Sequence, residues 1–117
     1  MDQMDDIYYG DGEDVGYVVI MATTPGRELA ESIARALVEE ERVACVNIID
    51  KITSIFRWKG KVEEEAECLL IMKTRTERVE DVIQRVKALH TYDVPEIIAL
   101  PIVDGNPSYL TWIDEVT

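Results

Sequence analysis

The segment VACVNIIDKITSIFRWKGKVEEEAECLLIMKT, Val43–Thr74, decides how this chain folds. Its first half is too long for one flat strand and carries the polar pair Asp50-Lys51 in the middle, so two strand segments joined by a bulge are expected. Lys59-Gly60 then reads as a tight turn, because a two-residue hairpin loop needs positive φ and glycine supplies it without strain. With that loop Trp58 faces Lys61, Phe56 faces Glu63, and the pairing runs on towards Ile52 and Glu67. The outer half of the returning strand is charged and its inner half, Cys68–Met72, is apolar. The hairpin therefore projects beyond the core, and Ile55, Phe56 and Trp58 on it suit an oligomer interface better than a monomer surface.

Before the hairpin, YVVIMAT (Tyr17–Thr23) is apolar on both faces, as in a buried central strand. Thr24 and Pro25 are expected to cap and open a helix, with Leu29, Ala30, Ile33, Ala34 and Leu37 at helical spacing to about Glu41. After the hairpin, Thr76 is the expected cap of a second helix whose stripe is Val79, Val82, Ile83, Val86 and Leu89. Glu77, Glu80 and Asp81 start that helix and Arg85, Lys87 and His90 end it, complementing its dipole. VPEIIALPIV follows as a strand that its two prolines push towards a sheet edge. Asn106-Pro107 opens a short terminal helix. The order β-α-β-β-α-β plus a helix predicts an α+β, ferredoxin-like sandwich with both main helices on one face of an antiparallel sheet.

The 117 residues make one domain, 47% hydrophobic, without an apolar run approaching the roughly 20 residues of a membrane span. A formal net charge of −12 argues against nucleic acid and against anionic membrane surfaces. Residues 1–16 hold Asp2, Asp5, Asp6, Asp11, Glu13 and Asp14 and no lysine or arginine, the pattern of a disordered solubilising tail. The folded domain is then 17–117. Neither the basic nor the apolar part of a secretion signal is present at the N-terminus, which favours the cytoplasm. Cys45 and Cys68 lie in apolar runs and read as reduced thiols.

ACVNI (Ala44–Ile48), ITSIFRWKGKVEEEAE (Ile52–Glu67), IMKT (Ile71–Thr74), HTYDVPEI (His90–Ile97) and YLTWI (Tyr109–Ile113) together resemble the CutA family of divalent-cation tolerance proteins. The resemblance covers roughly residues 17–117, with the motifs in the family's order and spacing. It implies a ferredoxin-like homotrimer packed through the long hairpins, with a core similar to that of nitrogen-regulatory signal transducers. It also implies a link to copper and other divalent cations. Two departures stand out. The family's H-P-Y-E-x-P-E is here H-T-Y-D-V-P-E, with Thr91 and Asp93 substituted, and Ala22 stands where some members carry a second thiol.

His90 has two readings, a helix-end residue favoured by the dipole and a metal ligand through neutral imidazole. Cys45 shares a strand face with polar Asn47 and is either a small core residue or a soft donor for copper or zinc. Glu67 shares a face with Glu63, Glu65 and Lys73; these acids are either solvated or, at Glu67, a carboxylate partner in a metal site or in a pair with Lys73. Cys68 and Trp112 read as core, and Trp58 as an interface aromatic. No Gly-rich elbow, Walker loop or zinc-protease motif is present, so no enzyme activity is expected. The metal reading uses Cys45, His90 and Glu67. The rival reading is an effector-binding or scaffold trimer, with Trp58, Lys73, Tyr92, Asp93 and Glu96 in an inter-subunit cleft that takes a small molecule or a protein.

Overall fold

The structure, a computed structural model, describes residues 16–117. The expected acidic tail lies outside the described residues except for Gly16. Strand β1 (Tyr17–Thr24) leads to helix α1 (Arg27–Glu39), then to the long strands β2 (Cys45–Trp58) and β3 (Lys61–Arg75). Helix α2 (Val79–Leu89), strand β4 (Ile97–Ile102) and helix α3 (Pro107–Val116) complete the chain. The strands form one antiparallel sheet in the order β2-β3-β1-β4. This is the expected ferredoxin-like arrangement with an added C-terminal helix.

The hairpin forms in the expected register: Trp58 opposite Lys61, Phe56 opposite Glu63, Ile52 opposite Glu67. Lys59 (φ 52) and Gly60 (φ 83) both adopt positive φ, the requirement of the type I′ turn whose twist matches the strands. A bulge lies between Ile49 and Ile52, where Lys51 has φ 60. Ile49 pairs with Leu69 and Ile52 with Glu67, so β2 spends one more residue than β3 across the bulge. Because side chains alternate with period two, that extra residue exchanges the faces of β2. Val46 and Ile48 face the core helices, whereas Phe56 and Trp58 share the opposite face with Glu63 and Lys61.

One face of the sheet carries the core. Val18, Ile20 and Ala22 of β1 and Cys68, Leu70 and Met72 of β3 pack against Ala30, Ile33 and Leu37 of α1 and Val79, Val82 and Val86 of α2. Helix α3 lies across one end of the other face, where the Tyr17 hydroxyl donates to Asp114 at 2.6 Å and Arg75 Nε donates to the Thr117 hydroxyl at 2.9 Å. Ile113 is its buried residue; Trp112, expected in the core, is 37% exposed and tilts against Tyr109 instead. Between α3 and the far end of the sheet at Glu67, much of this second face is bare. Ile49, Ile98 and Leu100 on it are 45%, 48% and 44% exposed.

Two expected caps are not realised. Thr24 ends β1 opposite Cys68 and its hydroxyl donates to the Gly26 carbonyl at 2.9 Å, so α1 starts only at Arg27. Thr76 is buried in a 3-10 turn, Thr76–Arg78, and α2 begins at Val79 without a side-chain cap. Asn106 does cap α3, accepting from the Ser108 N–H at 3.1 Å ahead of Pro107.

Glu40, at the end of α1, accepts from Arg85 Nη2 at 2.8 Å and from Arg42 Nε at 2.8 Å, tying α1 to α2. These two guanidiniums, Arg85 foremost, hold its carboxyl at about 2, below the ordinary 4.5. A carboxyl depressed on folding stabilises fully above its unfolded pKa and loses that stabilisation as pH falls through the folded one. Glu40→Gln is therefore expected to melt below the parent at pH 7, with the two melting curves converging by about pH 2. A difference that stays constant from neutral to acid pH would contradict this.

Candidate functional site

The polar groups of interest fall at opposite ends of the sheet. At one end β1 finishes and the chain leaves α2 through His90, whose backbone turns extended (φ −81, ψ 156). His90 does close the helix, its N–H donating to the Val86 carbonyl at 2.9 Å. Its ring, however, serves the sheet rather than the helix end. Nε2 lies 2.7 Å from the Thr23 carbonyl and Nδ1 accepts the Tyr92 N–H at 3.1 Å. A carbonyl only accepts and an amide only donates, so Nε2 carries the proton and Nδ1 offers its lone pair to the amide. Both nitrogens are engaged, and no lone pair is left for a metal.

That turn places the Tyr92 ring beside the imidazole, with centroids 4.7 Å apart, and sends its hydroxyl to Glu67 Oε2 at 2.7 Å. Glu67, read as either a solvated acid or a carboxylate partner, is only 7% exposed. Burial and the neighbouring carboxylate push the Tyr92 phenol well above its ordinary range, so it remains a donor to Glu67. Next to Glu67, the Cys68 thiol points to the core side and donates to Asp50 Oδ1 at 3.0 Å, which also accepts the Lys51 N–H at 2.8 Å. Burial first, and then Asp50, raise the Cys68 thiol. It is an inert packing residue that also ties down the bulge, in line with its core reading.

Cys45 is at the far end. It sits opposite Lys73, six residues along β3 from Glu67, which is about 20 Å at the rise of a strand. Its sulfur is 3.5 Å from the Tyr109 hydroxyl of α3, and that contact, with burial, pushes the phenol up to about 12. Lys73 donates to Asn47, its neighbour on the same face, and not to Glu67. Within one chain, then, Cys45 does not meet His90 and Glu67, and the soft-metal triad read from the sequence does not form. No group of three or more His, Cys, Asp or Glu side chains is placed to hold a metal among the described residues.

The cleft residues are also dispersed. Trp58 is at the hairpin tip, Lys73 lies under α3, and exposed Asp93 and Glu96 flank the loop into β4. Of these, Tyr92 alone joins Glu67 and His90 in a connected polar site among the described residues. The Thr23 carbonyl was not legible as part of it, since any residue type can present a carbonyl. Glu67 had one signal: it is the last acid before the strand turns apolar at Cys68.

Tyr92→Phe removes the one donor that Glu67 has within the described residues. Leaving a buried acceptor unmatched costs about 1–3 kcal/mol, and a loss of that size in urea unfolding is expected. A change within error would mean that the hydroxyl does not hold Glu67.

The CutA1 divalent ion tolerance family model matches residues 18–116. The divalent-cation tolerance protein CutA of Thermus thermophilus is 54% identical over 99 residues, covering 85% of this chain and 96% of the relative. Protein CutA of Mus musculus is 48% identical over 81% of this chain, which spans only 54% of that longer protein. Among solved structures, CutA1 from Oryza sativa superposes with a TM-score of 0.86 at 45% identity, over 88% of this chain and 94% of that one. A match that runs through every strand and helix described above settles the matter: the chain belongs to the CutA1 divalent ion tolerance family.

Proposed function

We propose that this protein contributes to divalent-cation tolerance as a homotrimer, binding cations weakly and acting through surfaces formed between copies. The observation that carries the reading is the unfinished sheet. β2 and β4 are both edge strands, and the bare face exposes Ile49, Ile98 and Leu100 beside a hairpin with Phe56 and Trp58 at 41% and 44% exposure. Edges and faces of this kind are stable in water when another chain covers them. The two edges differ, so joining β2 of one copy to β4 of the next is a head-to-tail contact, the kind from which closed rings are built. Three members is the number implied by the family resemblance.

Cys45 is the soft donor in this reading, for copper or a similar ion. It is a free thiol, half-buried beside Tyr109 rather than sealed in the core like Cys68. One thiol per chain makes for weak binding unless neighbouring copies complete the site. A role without catalysis is supported by the separation of Cys45 from His90, since a thiol nucleophile needs a base within hydrogen-bond reach. Two free cysteines fit a reducing compartment, the cytoplasm. Neither nucleic acid nor a membrane is a partner in this reading, given the charge of −12 and no helix among the described residues long and apolar enough to cross a membrane.

Copper(I) titration under reducing conditions, read by native mass spectrometry, tests both parts. The expected result is a particle of three chains that takes up copper weakly, loses it in Cys45→Ala and keeps it in His90→Ala. Loss in His90→Ala alone would return the ligand role to the imidazole. A wild type that binds no copper leaves the scaffold reading, and one that stays a single chain at all concentrations removes the trimer.

A further inference from the structure

Glu67 is buried, yet only half served. Tyr92 donates to Oε2, and among the described residues no other hydrogen bond or ion pair reaches the carboxylate. None of the chain's own cations near Glu67 reaches it among the described residues: Lys51, in the bulge beside the Ile52 that pairs with Glu67, makes no ion pair with it. Lys73 turns to Asn47, and Arg27 bridges Glu31 at 2.7 Å and lies 3.9 Å from Asp50. A buried carboxylate with an open oxygen is unfavourable until a donor fills it, and a cationic donor fills it best.

We infer that a lysine ammonium from the hairpin tip of a neighbouring copy, Lys59 or Lys61, seats on the open oxygen of Glu67. This rests on the trimer reading and names the contact that completes the site. The tip, Arg57–Lys61, holds three cations and no acid in a chain of net charge −12. None of the three forms an ion pair among the described residues. The pleat puts Lys61 on the same side of β3 as Glu63, Glu65 and Glu67, the side that the core helices leave bare. Lys59 joins that side, its Nζ 5.8 Å from the centroid of the Trp58 ring, while Arg57 pairs with Val62 and points to the other. The tip cannot fold back on its own Glu67. Six residues of paired strand, about 20 Å, separate Lys61 from it, and the type I′ turn keeps the hairpin straight. The tip of a second copy is not bound by that limit, and the acidic side of the strand around Glu67 attracts a basic tip.

The test is a double-mutant cycle on trimer dissociation, followed by mass photometry over a dilution series. Glu67→Gln and the pair Lys59→Gln with Lys61→Gln are each expected to raise the dissociation constant roughly tenfold or more, as for charge-assisted contacts at interfaces. Combined, they are expected to do little more than either alone. Arg57→Gln, which removes one tip charge where the lysine pair removes two, is the control for tip charge alone, and its effect is expected to add to that of Glu67→Gln. Additive effects of Glu67 and the two lysines, or coupling to Arg57 instead, overturn the inference while the trimer stands. A wild type that never assembles overturns both. If circular dichroism shows that Glu67→Gln does not fold, the exposed lysine variants decide alone: an unchanged dissociation constant in Lys59→Gln with Lys61→Gln overturns the contact.

Discussion

Strand β2 runs for 14 residues, pairing with β3 along one side and with no other strand among the described residues along its other side. Every second backbone amide and carbonyl on that outer side is left to water or to another chain. Natural edges of this length are usually broken by prolines, inward charges, bulges or short strands; Cys45–Trp58 contains no proline and a single bulge, at Asp50-Lys51. β4 has the opposite character, short and interrupted by Pro101, yet it too is an edge. The rest of the molecule follows from these two open sides and from the sheet face between them. Helices α1 and α2 bury one face; α3 covers an end of the other; what remains is apolar and unfinished.

The bulge at Asp50-Lys51 gives the hairpin its direction. Without an extra residue, Phe56 and Trp58 would lie on the same face as Val46 and Ile48, beyond the reach of the helices and away from the bare face. With it, they extend that bare face outward. The bulge is held by local chemistry: Asp50 takes the Lys51 N–H and the Cys68 thiol, and Cys68 is fixed by the core around Leu70 and Met72. The buried thiol is thereby coupled to the aim of the hairpin, which gives Cys68 a structural purpose distinct from that of the more accessible Cys45.

Much of this was legible from residues alone. Gly60 specified the turn, the turn specified the register, and Asp50-Lys51 in an apolar run marked the bulge, because each depends on local backbone chemistry. Helix starts at Thr24 and Thr76 were misread for one reason: a threonine before a helix is also a good strand or turn residue, and tertiary burial decided both. The site was less legible. Position at a helix end says nothing about where an imidazole ring turns, and His90 turned to a carbonyl on another element. The donor that Glu67 has among the described residues is Tyr92, 25 residues away in sequence, which alternation along β3 cannot reveal. The separation of Cys45 from Glu67 and His90 required the register of the whole sheet.

In the proposed assembly, further copies of the chain cover the open edges. Amide hydrogen exchange on the intact protein, at concentrations above and below assembly, reads those edges directly. Outward-facing amides of β2 and β4 are expected to exchange slowly in the assembled protein and to lose that protection on dilution, while the core amides of β1 and β3 stay protected throughout. Fast exchange along both edges at every concentration would contradict the account, for it would mean that water, and not another chain, completes the sheet.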